Sequence, residues 1–148
     1  MKKICLLICV AIISGCGSMI PYYPMNERTL NGMTNRQLCA RSKVLAWTYR
    51  ASKDALFSGN QHKEVRKERM KLDEILWART PDWDWPTINM GKVWIGMSDA
   101  QAVCAWGEPT RINRSVNRYG ASEQWVYQRG TVNTQYLYFE SKKLMAIQ

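Results

Sequence analysis

GMSDAQAVCAWGEP (Gly96–Pro109) packs a cysteine, a serine and two carboxylates into 14 residues, and its reading decides the fold. Those residue types suit an active site, but they also suit a helix with its start and stop signals. Ser98 followed three residues later by Gln101 is a capping box, in which side chains satisfy the orphan N–H groups of the first turn. Asp99 complements the positive end of the helix dipole. Gly107 stands where a helix ends in a left-handed residue, and Pro109 cannot continue it. Ala100, Val103 and Cys104 share one apolar face. Cys104 lies late in this helix, away from the N-terminal end that lowers a thiol pKa. The only histidine of the chain, His62, belongs to a distant charged segment. A Cys-His nucleophile is therefore not expected, and the stretch reads as a short helix buried on one side.

Beyond Pro109 the apolar period falls from helical to two. Ile112–Val116 reads as a strand. EQWVYQR (123–129) puts Trp125 and Tyr127 on one face and Gln124, Val126 and Gln128 on the other. TQYLYFE (134–140) and LMAIQ (144–148) follow, joined by SKK, which lacks the Asn-Gly of a tight hairpin. Such alternation predicts antiparallel strands with one face buried.

On the N-terminal side of the helix, Val93–Ile95 reads as a short extended run. TPDWDWP (80–86) comes before it, with two prolines bracketing Trp83 and Trp85. Exposed tryptophans are enriched at interface hot spots, so one reading is a partner-binding loop. The other is that the indoles fold back to plug the junction with the helices. Asp82 and Asp84 lack the complement that acid–base chemistry needs.

Further back the period is helical. Leu38, Leu45, Tyr49 and Leu56 mark a stripe between Thr34 and Ser58, and SGN ends it. Val65, Leu72, Ile75 and Leu76 mark a second stripe between Gln61 and Arg79. Its other face carries the helix-spaced pairs Glu64–Lys67, Glu68–Lys71 and Arg69–Asp73, each worth a few tenths of a kcal/mol. The two stripes predict an antiparallel helical hairpin. Residues 17–33, with Pro21, Pro24, Asn31 and Gly32, keep no period and read as a tether.

The chain opens MKKICLLICVAIISGC: two lysines, an apolar run of ten residues from Ile4 to Ile13, then small residues and Cys16. As a helix that run would cover roughly 15 Å, half of a ~30 Å hydrocarbon core. It reads as a cleavable signal rather than a span. Ile13-Ser14-Gly15-Cys16 resembles a bacterial lipobox, which implies diacylglyceryl transfer to the Cys16 thiol and cleavage before it. One acyl chain holds a protein marginally and two or more hold it stably. Gly17, rather than Asp, after Cys16 favours the outer membrane by resemblance to enteric lipoproteins, facing the periplasm.

The whole chain has 148 residues, 21 Lys and Arg, 12 Asp and Glu, and a formal charge of +9. Loss of Lys2 and Lys3 would leave +7. In that compartment the charge matches anionic lipid or an acidic envelope protein rather than nucleic acid. No metal-ligand spacing, cofactor motif or small-molecule site emerges.

Residues 94–148 also resemble the small outer-membrane lipoproteins of the SmpA/OmlA/BamE type. The likeness rests on Gly96, Ser98 and Val103, on Gly107 and Pro109, on Trp125 and Tyr127, and on the closing hairpin. It implies a helix-on-sheet fold and a non-enzymatic role, often support of outer-membrane protein assembly. A long helical hairpin departs from that family.

In an oxidising compartment the pair Cys39 and Cys104 could form a bridge that staples the first helix to the sheet domain. By loop-closure entropy it would contribute ~4 kcal/mol. Two separate buried thiols remain the alternative. The overall expectation is α+β: an N-terminal helical hairpin plus a helix packed on a three- to four-stranded antiparallel sheet. The divisions are a signal at 1–15, a tether at 16–33, the hairpin at 34–80, the Trp/Pro loop at 81–92 and the α/β domain at 93–148. The expected role is a lipid-anchored, non-enzymatic binding or scaffold protein, with Trp83 and Trp85 as contacts. An inhibitor of an envelope or secreted hydrolase is the alternative.

Overall fold

A computed structural model describes residues 22–53, 59–118, 120–129 and 133–148. The expectations for the signal, for Cys16 and for the connection through Ser58 fall outside those residues. The fold is α+β. Helices α1 (Glu27–Gly32), α2 (Asn35–Lys53), α3 (Gly59–Arg79), α4 (Trp85–Asn89) and α5 (Asp99–Trp106) precede strands β1 (Arg111–Asn117), β2 (Gly120–Arg129), β3 (Asn133–Glu140) and β4 (Lys143–Ile147). The strands form one antiparallel sheet in sequence order.

Helix α5 starts and stops where its punctuation says. Gln101 N–H donates to Ser98 Oγ (3.2 Å), and Ser98 N–H donates to Gln101 Oε1 (2.7 Å). Gly107 has φ 85°, and its N–H donates to the Val103 carbonyl at 2.7 Å. A side chain at that φ would be strained, which explains glycine there. Ala102, Val103, Cys104 and Ala105 are buried.

The sheet buries one face. Trp125, Tyr127, Leu137, Phe139 and Leu144 join the core, and the Trp125 and Phe139 rings lie 4.3 Å apart. The other face is laced by side chains. Asn113 Nδ2 donates to Gln124 Oε1 (2.8 Å), Gln124 Nε2 to Tyr138 OH (3.0 Å) and Tyr138 OH to Gln148 Oε1 (2.9 Å). Strand β1 is an edge, exposed along its whole length, so its alternation says little about burial. The β3–β4 turn is tight despite lacking Asn-Gly. Ser141 and Lys142 both take positive φ, 48° and 64°, the conformation a two-residue type I′ turn demands. The expected extended run at 93–95 does not pair. Pairing with β4 comes one step later, where Gly96 N–H meets Leu144 O (2.7 Å) and Leu144 N–H meets Met97 O (2.9 Å).

Helices α2 and α3 pack against each other and bury Leu38, Leu45, Val65, Leu72, Ile75 and Leu76. The charged face of α3 is less solvated than its spacing implies. Arg69 does meet Asp73, at 3.8 Å, but Glu68 turns inward and is 6% exposed. There it accepts hydrogen bonds from Arg41 Nε (2.7 Å), Tyr22 OH (2.6 Å) and Met25 N–H (3.1 Å). Burial pushes the Glu68 carboxyl up, but these donors outweigh it and hold it below the usual carboxylate range. Lys71, freed from Glu68, reaches Glu27 and Glu74, each at 3.2 Å.

The same contacts correct the expectation of a tether through residue 33. Residues 22–33 pack along α3 instead. Asn26 caps α1 through Thr29 N–H (2.9 Å), and Leu30 is 1% exposed. Arg79 donates to the Met33 and Asn31 carbonyls at 2.7 and 2.6 Å. A six-residue helix is too short to display a period, so its asparagine and glycine read only as breakers. The loop expected at 81–92 likewise contains α4, with Asp84 as N-cap and Pro86 in its first turn, where proline fits.

Candidate functional site

Trp83 and Trp85 are only partly exposed and pack against the core. Their rings sit 5.6 Å apart, and Trp85 Nε1 donates to the Thr80 carbonyl at 3.1 Å. They fold back rather than project, because the Pro-bracketed segment turns at Thr80 and continues into α4. Of the two readings of this segment, the packing matches indoles folded back on the junction rather than a protruding loop. Trp85 nevertheless lines a groove of about 520 Å³ that runs between α2, α3, α4 and α5.

The tryptophans that do project are Trp47 on α2 and Trp77 on α3, 55% and 56% exposed. Both line this groove, together with Lys43, Arg50, Arg69 and Asn89. Sequence reading passed over them, yet a signal existed. Trp47 follows Leu45 by two and Trp77 follows Leu76 by one, so both sit off the buried stripes of their helices. Large indoles at such positions are solvent-facing unless another element covers them.

Cys39 and Cys104 form the buried lining of the groove, joined by a disulfide with their Cα atoms 4.6 Å apart. The bridge ties α2 to α5. Beside it, Lys43 Nζ donates to the Ala105 carbonyl at 2.9 Å, a cation at the negative end of α5. Further along, Arg36 lies 4.5 Å over the Trp125 ring and donates to Glu108 at 2.8 Å. Thus α2 is held to both the short helix and the sheet.

Asp73 is the carboxyl within the groove. Ser42 Oγ donates to it at 3.5 Å and Arg69 stands 3.8 Å away. Burial outweighs both weak partners and raises the Asp73 pKa above its ordinary value. Asp84, by contrast, is held low by hydrogen bonds from Thr87 in its capping role, and Asp82 is exposed. The Asp82–Asp84 pair therefore does not form a dyad.

With Cys104 in a bridge, the groove presents no thiol. His62 stacks on Tyr49 at 4.1 Å. Among the described residues no cluster of three His, Cys, Asp or Glu is placed to hold a metal ion. Aromatic rims, arginines and one weakly partnered carboxyl equip the groove for recognition. Among the described residues no helix is long and apolar enough to cross a membrane.

No family model, no curated protein and no solved structure matches the chain. The likeness of residues 94–148 to the SmpA/OmlA/BamE type therefore carries no family assignment.

Proposed function

We propose that this protein is an outer-membrane lipoprotein, anchored through Cys16, that acts as a non-enzymatic binding or scaffold module in the cell envelope. Its partner contact is the α2–α3 groove. The observation that carries the contact is the exposure of Trp47 and Trp77, both above one half, on the rim of one groove. Leaving two indoles in water is unfavourable unless another surface covers them, and tryptophans dominate interface energetics. The lipobox-like Ile13-Ser14-Gly15-Cys16 supports the anchor, and the helix-on-sheet architecture agrees with the SmpA/OmlA/BamE resemblance. A role beside outer-membrane protein assembly follows from that resemblance alone. The hydrolase-inhibitor alternative called for an aromatic loop able to enter a cleft. Trp83 and Trp85 are packed down, which removes its main support.

The test is site-specific photo-crosslinking in intact cells, with the probe at Trp47 or Trp77 and, as control, at exposed Met145 on β4. The expected result is one adduct, shared by both groove positions, absent from the control and containing an outer-membrane barrel component. An adduct with a soluble hydrolase would favour the inhibitor reading. No groove-specific adduct would sink the contact. Palmitate incorporation that a Cys16→Ala variant retains would sink the anchor.

A further inference from the structure

The clamp on Glu68 fixes the chain at Tyr22, six residues after Cys16. Tyr22 OH and Met25 N–H both bind that carboxylate, and Arg41 Nη2 also donates to the Tyr23 carbonyl at 2.8 Å. From there the segment runs alongside α3 to its far end, where Arg79 holds Asn31 and Met33. The chain therefore enters the fold beside Glu64 and Glu68, in the first half of α3. Six extended residues reach at most about 20 Å. An acyl anchor on Cys16 would keep this end of the hairpin close to the bilayer.

That end is basic. Among the described residues, Arg50 in the last turns of α2 and Lys63, Arg66 and Lys67 in the first turns of α3 are exposed, against one exposed carboxylate, Glu64. None of the four cations forms an ion pair among the described residues. The sheet lies at the other end of α2, held by Cys39–Cys104 and by Arg36 on Trp125. From Cys39 to Arg50 the helix rises about 16 Å.

We infer that the domain stands upright on an anionic phospholipid surface, with Arg50, Lys63, Arg66 and Lys67 at the headgroups and the sheet pointing away. This rests on the lipid-anchor reading. The short leash supplies proximity and the basic end supplies orientation, since juxtamembrane cations are drawn to a negative surface within a Debye length. The groove remains reachable in this stance. Trp77 lies about 15 Å farther along α3 than Lys67, so a partner can approach the upper part of the groove along the flank of a seated hairpin.

The experiment uses the full lipidated protein in vesicles of phosphatidylethanolamine and phosphatidylglycerol carrying an acceptor dye on a fraction of the headgroups. A donor dye is placed at Gln61→Cys, near the basic end, or at Thr134→Cys, in the sheet. Energy transfer from position 61 should exceed that from 134 at least twofold. The excess should shrink in phosphatidylcholine vesicles and in a Lys63→Glu/Arg66→Glu/Lys67→Glu variant whose circular dichroism matches the parent, because the leash alone holds the end near the bilayer without orienting it. Flotation with the vesicles is scored separately. Protein that floats but transfers equally from both sites overturns the upright stance alone, and an excess undiminished after charge reversal overturns the assignment of the four cations to the headgroups. Protein that fails to float removes the anchor reading and the stance with it.

Discussion

The sheet half of the molecule buries Trp125 and Phe139 to 0% and 2% exposure, whereas the hairpin half leaves Trp47 and Trp77 more than half in solvent. Each half draws on the same side-chain chemistry. In the sheet, alternation and the α5 capping box deliver the indole into a core, where Trp125 Nε1 finds Glu123 Oε2 at 2.8 Å. In the hairpin the core is complete without the indoles, since leucines, isoleucine and valine fill the stripes. The difference separates aromatic residues that hold the fold from those that the fold merely displays. The halves are coupled chiefly through α2, by the disulfide and by Arg36.

Breaking that coupling has the largest expected effect. The Cys39–Cys104 bridge spans a sequence separation of 65, for which loop-closure entropy gives about 4 kcal/mol. A Cys39→Ser/Cys104→Ser variant should lose roughly that stability in guanidinium unfolding and show hydrogen exchange rising first in α2. An unchanged midpoint would mean that packing alone joins the halves.

The tryptophan contrast comes next. Trp125→Ala should cost about 3 kcal/mol or more, through the cavity it leaves. Trp47→Ala and Trp77→Ala should each stay within about 0.5 kcal/mol, while weakening partner capture. Equal losses in thermal unfolding would abolish the distinction between holding and displaying.

Within the hairpin, Arg41→Ala should cost about 2 kcal/mol, because it strips the strongest donor from a buried carboxylate. The pH dependence has a definite sign. Glu68 has a depressed folded pKa, so its contribution is full above the unfolded carboxylate range and is lost as pH falls through the folded value. Asp73 has a raised pKa, so its ionisation weakens the fold as pH rises. Glu68→Gln should therefore flatten the acid limb of a stability–pH curve, and Asp73→Asn should flatten a slope of opposite sign. An acid limb identical in Glu68→Gln and the parent would show that other carboxylates set it.

What could be read in advance follows the range of the interactions. The α5 caps, the two hairpin stripes and the β2 alternation are local patterns, and the structure places helices and strands at them. Glu68 could not be read, since a carboxylate at helix spacing from Lys71 looks solvated until Tyr22 and Arg41 arrive from distant segments. Tyr22–Met33 was missed for the same reason: its order comes from α3, not from its own period. For the tryptophans, neighbours in sequence are a poor guide. Trp83 and Trp85, conspicuous between prolines, are packed, whereas Trp47 and Trp77, inconspicuous in helices, are displayed. Helical phase marks Trp47 and Trp77 as off the stripes, whereas the packing of Trp83 and Trp85 depends on tertiary contacts such as that of Trp85 with the Thr80 carbonyl.

The smallest effect tests the sheet half by itself. Ser141 and Lys142 hold φ 48° and 64°, a region that costs ordinary residues of order 1 kcal/mol each. They are kept there from both sides. Glu140 and Lys143 pair across the turn, and the Lys142 carbonyl accepts from Asp99 N–H at 3.1 Å, which docks the start of α5. Those contacts use the backbone, so new side chains leave them in place. Ser141→Asn/Lys142→Gly supplies the residues a type I′ turn favours and should raise stability by about 1 kcal/mol, read as a higher urea midpoint at unchanged slope. The gain should appear equally in the variant without the disulfide, because the turn closes β3 on β4 whereas the bridge joins α2 to α5. A lower midpoint would mean that glycine's added freedom in the unfolded chain outweighs the relief of strain. The Asp99 contact, rather than the turn's own preference, would then be what fixes the β3–β4 register.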